Sequence, residues 1–170
     1  MHSEKPDLYF DTVVLSNFLG VGAGDLLVRR YGCRMRITEE VLAETLRGGW
    51  KGHHSVAVLE EAILNNSICM AEPTDMSLRK DLSSFRRTLG AGEASCLAHA
   101  KRSNGVVVTD DRAARQFCDE LHIPVTGTIG ILMASVKRNA LSLEESEALL
   151  ARMIKNGFYS PVLRISDLLK

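Results

Sequence analysis

The sequence has no surplus of charge. Its 170 residues hold 21 Lys and Arg against 21 Asp and Glu. That balance excludes a strongly basic nucleic-acid coat and an acidic solvating tail. A nucleic-acid partner stays open, because local patches govern such binding. The chain also lacks any C-x-x-C pair. Cys33, Cys69, Cys96 and Cys118 stand far apart, so neither a zinc site nor a thioredoxin-like centre is signalled. Their mostly apolar neighbours predict buried free thiols in a reducing compartment. Nor is there an apolar run of membrane length. The longest uncharged stretch, Ile123 to Val136, is short and broken by Pro124, Gly127 and Gly130. The N-terminus, Met-His-Ser-Glu-Lys-Pro-Asp, is polar and predicts no signal peptide. These absences predict a cytoplasmic protein with no membrane partner. No repeat, linker or low-complexity run stands out.

What is present is ordinary for a globular chain: 45% apolar and 25% charged residues. A chain of this size buries roughly 70% of its unfolded surface without staples. One domain over 1–170 is expected, with 141–170 as a C-terminal helical extension.

Apolar periodicity predicts strands at Leu8–Phe10, Arg34–Ile37, Ser67–Met70, Val106–Val108 and Val125. Helices are predicted from Val13 to the glycines at 20, 22 and 24, then from an Asp25 cap to about Arg30. Further helices run from a Thr38 cap to Arg47, ended by Gly48-Gly49, and over His53–Asn65, Asp75–Leu89 and Glu93–Arg102. The rest cover Asp110–Leu121, Thr128–Lys137, Ser142–Asn156 and a last one opened by Ser160-Pro161. Leu143, Leu149, Leu150 and Met153 are expected in the core. The fully apolar Val106–Val108 run is the mark of a parallel strand buried on both faces. Alternation of strands and helices predicts an α/β fold, with a central parallel sheet and helices on both faces.

In such sheets ligands sit beyond the carboxyl ends of the strands. Asp11 falls there after the first strand, and Asp110-Asp111 fall there after the valine strand and Thr109. Each has a structural alternative. Asp11 or Asp110 can cap the following helix, and Glu93 can serve the positive end of its own. Only one of Asp110 and Asp111 is expected to cap, leaving the other free. Glu44 lies past the first turn of its helix and shares a side with Val41, so it needs a partner. Glu93 opens a helix whose next seven residues carry no acidic or basic charge apart from His99. Four carboxylates converging on one edge repel unless cations hold them, and oxygen-only ligands suit Mg²⁺ or Mn²⁺.

These segments also resemble a known family. Asp11-Thr-Val-Val-Leu-Ser-Asn-Phe is similar to the opening motif of PIN-domain nucleases. Val41-Leu-Ala-Glu44 resembles their second acidic motif, and Gly90-Ala-Gly-Glu93-Ala-Ser-Cys-Leu-Ala-His-Ala their third. Val107-Val-Thr-Asp-Asp111-Arg resembles the fourth. Val125-Thr-Gly-Thr-Ile-Gly-Ile-Leu resembles a segment of the prokaryotic, toxin-like (VapC-type) branch. The similarity runs from about Leu8 to about Phe158. It implies a PIN-like three-layer sandwich and a metal-dependent ribonuclease. By carry-over, Asp11, Glu44, Glu93 and Asp111 form the acidic quartet, with Asp110 as the fallback for the fourth place. Two ions about 4 Å apart would then activate water and stabilise the leaving oxygen. Thr12 and Thr109 would orient neighbouring carboxylates. Arg112 and Arg115, after the fourth motif, are candidate phosphate contacts. Arg29, Arg30, Arg34 and Arg36 form a second basic run. Glu93 stands where Asp is common in the family, one methylene further out. The family resemblance implies RNA as substrate, and the toxin-like branch implies a small antitoxin partner and a homodimer.

Other motifs fail. Gly20-Val-Gly-Ala-Gly-Asp25 has Asp where the dinucleotide loop needs glycine, and no strand directly before it. Adjacent His53-His54 cannot both face one metal from a helix. Ser77-Leu-Arg-Lys80 has no companion motif. A phosphatase of the haloacid dehalogenase type wants a second Asp where Val13 stands. A PIN-like module that binds RNA or protein without cutting is the reading from a different class.

Overall fold

Leu8, Tyr9 and Phe10 are all buried in strand β1 (Leu8–Phe10). Successive side chains of a strand point opposite ways, so three buried in a row means cover on both faces. The computed structural model, which describes residues 5–47 and 53–169, shows both covers. Tyr9 stacks on His99 of α6 (Ala91–Ser103), ring centroids 5.6 Å apart. Phe10 meets Tyr31 of α2 (Gly24–Tyr31) edge-on at 5.5 Å. The expected helix end at Gly48-Gly49 lies outside the described residues, as do the side chains of 53–56 and 58.

Four more strands complete the sheet: β2 (Met35–Ile37), β3 (Cys69–Met70), β4 (Val106–Val108) and β5 (Val125–Thr126). All pairings are parallel, in the order β3-β2-β1-β4-β5. Parallel neighbours need long crossovers. Helices α1 (Thr12–Leu19) and α2 join β1 to β2. Helices α3 (Glu39–Arg47) and α4 (His53–Leu64) join β2 to β3. Helices α5 (Met76–Phe85) and α6 lead to β4, and α7 (Arg112–Glu120) leads to β5. Helices α8 (Thr128–Lys137) and α9 (Leu143–Lys155) follow. This is the expected α/β architecture.

Thr38 caps α3 as expected, accepting the Val41 amide at 3.2 Å. The C-terminal segment packs inward through Leu149, Leu150, Met153 and Ile165, but Leu143 is exposed. Ser160-Pro161 opens no helix. The Ser160 hydroxyl accepts the Val162 amide and donates to the Val162 carbonyl, a local turn that competes with helical bonding. Only a short 3₁₀ turn forms, at Ile165–Leu168. Asp25 does not cap α2. Gly22, at φ 71°, turns the chain so that the helix starts at Gly24, with Ala23 at the cap. Cys96 and Cys118 are buried, whereas Cys33 is exposed and Cys69 half-buried.

Candidate active site

The chain lays β1, β2 and β3 outward in one direction, then crosses back to place β4 on the other side of β1. The reversal opens a crevice at the carboxyl ends of β1 and β4, the place where open α/β sheets bind ligands. Asp11 follows β1 directly and Thr109-Asp110-Asp111 follow β4. The register pairs Phe10 with Val108, and the Asp11 amide donates to the Val108 carbonyl at 2.9 Å. Asp11 is therefore fixed by the sheet itself.

Asp11 is fully buried. Its Oδ2 accepts the Thr109 hydroxyl at 2.8 Å, while Oδ1 is buried with no partner among the described residues. The Thr109 oxygen also accepts the Asp111 amide at 3.1 Å. Burial, then the charges of Glu93 and Glu44, push the Asp11 carboxyl up to about 7, against the lowering effect of Thr109. Burial and like charges together favour the neutral, protonated form of this carboxyl.

Glu44 reaches the edge from α3. The Thr12 hydroxyl donates to its Oε2 at 2.6 Å and the Gly92 amide to its Oε1 at 3.0 Å. Glycine at 92 permits this approach: a Cβ there would lie 2.5 Å from Glu44 Oε2 and 3.3 Å from Thr12 Oγ1. Below, Thr38 and Ser95 share a 2.7 Å hydrogen bond that joins α3 to α6. Glu93 sits in the first turn of α6, with its Oε2 against the spot a Cβ on Gly90 would take. Its carboxyl is raised by burial first, then by Glu44 and Asp111.

The two acids after β4 do different work. Asp111 caps α7, its Oδ1 accepting the Ala114 amide at 2.7 Å. Asp110, expected to be free if Asp111 caps, is not free. It accepts the Thr128 amide at 2.9 Å, the Thr128 hydroxyl at 2.5 Å and Asn17 Nδ2 at 3.2 Å. Both its oxygens serve the start of α8. Asn17, which also bonds Thr128 at 3.0 Å, went unassigned in the sequence. Its signal was the stripe Val13, Ser16, Asn17, Gly20, spaced to share one face of α1, and all four line the cleft.

That cleft has a volume of about 1110 Å³ and includes Glu93, Asp110 and Asp111, with Lys155, Asn156 and Tyr159 on its far wall. A neighbouring cleft holds Arg112 and Arg115. Both arginines are exposed, and Arg115 also donates to the Thr109 carbonyl at 2.9 Å. The other basic run lies elsewhere. Arg34 precedes β2 and bonds the Pro6 carbonyl, and Arg36 pairs with Asp7 at 3.0 Å, before β1. That is the amino end of the sheet, opposite the acids.

A family model described as a PIN domain matches residues 8–170, helices α8 and α9 included. The chain belongs to the PIN-domain family. No curated protein matches it. PIN domains are commonly nucleases and generally use divalent metal ions, so a nuclease-type hydrolase is the coarse functional class.

The fit to such an ion can be judged on the residues. Among the described residues, no three His, Cys, Asp or Glu side chains converge on one metal position. Glu44 has both oxygens occupied, Glu93 lies back over its own helix, and Asp111 is partly engaged as a cap. The donor chemistry nonetheless fits a hard divalent cation. The quartet is all oxygen, and none of the ion pairs found among the described residues touches it. Asp11 Oδ1 is a buried acceptor with no donor among the described residues.

Proposed function

We propose that the chain is a divalent-metal-dependent endoribonuclease of the toxin-like, VapC-type branch. Asp11, Glu44, Glu93 and Asp111 would hold Mg²⁺ or Mn²⁺. A bound divalent ion supplies an activated water and charge stabilisation for the leaving oxygen. The chain's own residues supply orientation. Thr109 and Thr12 fix one oxygen each of Asp11 and Glu44, and the Gly92 amide fixes the other oxygen of Glu44. The single observation that carries the reading is the buried Oδ1 of Asp11, without a partner among the described residues and close to the charges of Glu93 and Glu44. RNA as substrate follows from the resemblance of the four acidic motifs, a small antitoxin partner and a homodimer from that of 125–132, and all belong to the same proposal. Asp110 remains the fallback for the fourth place, because three hydrogen bonds from Thr128 and Asn17 hold its oxygens at the start of α8.

A second reading, a PIN-like module that binds without cutting, is favoured by one observation: the acids do not converge on a ready-made metal position. A crystal soaked in Mn²⁺ separates the two. Anomalous density among the quartet, lost in Asp11→Asn, supports the nuclease. Ordered carboxylates with no density at saturating Mn²⁺ leave the binding module.

A further inference from the structure

Tyr159 is 94% exposed, although its neighbour Phe158 packs against the core. An aromatic ring given wholly to water is unusual enough to ask what it faces. It lines two clefts at once. One contains Glu93 and Asp111, and the other contains Arg112 and Arg115. Tyr159 therefore stands on the ridge between the acid edge and the two arginines. Its hydroxyl has no partner among the described residues, so the hydrogen bonding of the fold does not account for the ring.

The backbone on either side is held. Gly157, at φ 103°, turns the chain out of α9, and the Phe158 amide donates to the Met153 carbonyl at 3.0 Å. After the tyrosine, the Ser160 hydroxyl closes on Val162. The ring is presented from a fixed turn. Fixed presentation lowers the entropy lost when a flat partner lands on it.

We propose that Tyr159 is a stacking platform for a base of single-stranded RNA. This rests on the ribonuclease reading and adds to it a residue that holds the substrate. Bases stack on aromatic faces without regard to sequence, and positive side chains alongside track the phosphates. Arg112 and Arg115 on one flank supply that charge, and the acids on the other flank are where the backbone is to be cut. A duplex keeps its bases stacked on each other and offers no free face. The segment around Tyr159 is thus a substrate wall, contributed by the chain after α9.

The test is fluorescence anisotropy with a short labelled oligoribonucleotide and no divalent ion, so that nothing is cut. Tyr159→Ala should weaken single-strand binding by roughly tenfold, and Tyr159→Phe by no more than about twofold. The same strand annealed to its complement should bind weakly to both. Melting of Tyr159→Ala should match the parent, because the ring is exposed. Equal single-strand binding by Tyr159→Ala overturns the platform, as does equal binding of duplex. A change confined to self-association or to capture of a protein partner overturns it too, and assigns the ring to an interface. If the parent binds the strand, and cuts RNA once Mn²⁺ is added, while Tyr159→Ala binds equally well, only the platform fails. If the parent neither binds RNA nor cuts it once Mn²⁺ is added, the ribonuclease reading falls with it.

Discussion

Thr109 donates its hydroxyl proton to Asp11 Oδ2 at 2.8 Å, and both residues are fully buried. The Thr109 hydroxyl oxygen in turn accepts the Asp111 amide. One side chain at the end of β4 thus fixes the first acid and the backbone of the fourth. Thr109→Val keeps the shape and removes both contacts. It should cost about 1–3 kcal/mol, the penalty for leaving a buried acceptor unpaired, and weaken Mn²⁺ binding by calorimetry. Thr109→Ser should recover most of both losses. A Val variant that binds Mn²⁺ like the parent would show that Thr109 orients nothing.

The raised carboxyl of Asp11 makes a pH prediction with a definite sign. Its ordinary value is 3.8 and its folded value about 7. Within that window the folded metal-free chain holds more protons than the unfolded one. Stability is therefore greatest below the unfolded value and falls as pH rises, levelling off above about 7. Glu93, raised by burial and by its acidic neighbours, acts in the same direction. Moving a carboxyl by one pH unit is worth about 1.4 kcal/mol, so Asp11 alone contributes on the order of a few kcal/mol across the window. Thermal melts across the window should slope downward for the parent and run flatter for Asp11→Asn. Added Mn²⁺ should raise the parent's Tm more at about pH 8 than at about pH 5, where protons compete. An Asp11→Asn profile as steep as the parent's would assign the slope elsewhere.

Gly92 gives a separate handle on Glu44. A Cβ at this position meets Glu44 Oε2 at 2.5 Å and its Cδ at 3.2 Å. Alanine within a helix is otherwise favourable over glycine by roughly 1 kcal/mol. Gly92→Ala should therefore melt within a few degrees of the parent, yet displace the Glu44 carboxylate and weaken Mn²⁺ binding by about tenfold or more. Unchanged affinity would remove Glu44 from the ligand set while leaving Asp11 in place.

The sheet was legible because its central strands are short runs of apolar residues with acids directly after them. Leu8–Phe10 and Val106–Val108 need cover on both faces, and only a parallel sheet between helices gives it. The positions of Asp11, Glu44, Glu93 and Asp111 at one edge followed from chain order. What the sequence hid is what acts across distance. Nothing local to Asp110 shows that its oxygens belong to Thr128, eighteen positions on. Nothing local to Arg34 and Arg36 shows that they lie at the amino end of the sheet. Ser160-Pro161 carries a helix-start signal, but the hydroxyl finds its own neighbour first. Tyr159 reads as one more aromatic residue until the fold leaves it in water.

The paired acids after β4 allow the assignment of the fourth ligand to be tested by contrast. Asp110 receives three hydrogen bonds from Thr128 and Asn17 and so ties α1 and β4 to the start of α8. Asp111 gives its Oδ1 to the Ala114 amide, an ordinary helix cap. Asp110→Ala unmakes bonds to partly buried donors and should lose about 2–3 kcal/mol of stability. Asp111→Ala should lose only about 1 kcal/mol, the usual worth of a cap. Activity should divide the other way. Asp111→Asn keeps an oxygen for the cap and removes the charge, so its melt should stay near the parent's while metal-dependent RNA cleavage collapses. Asp110→Asn should keep an acceptor for Thr128 and retain most cleavage. The reverse pattern, with Asp110→Asn dead and Asp111→Asn active, would move the fourth ligand back by one residue and require Thr128 to release Asp110 when the metal binds.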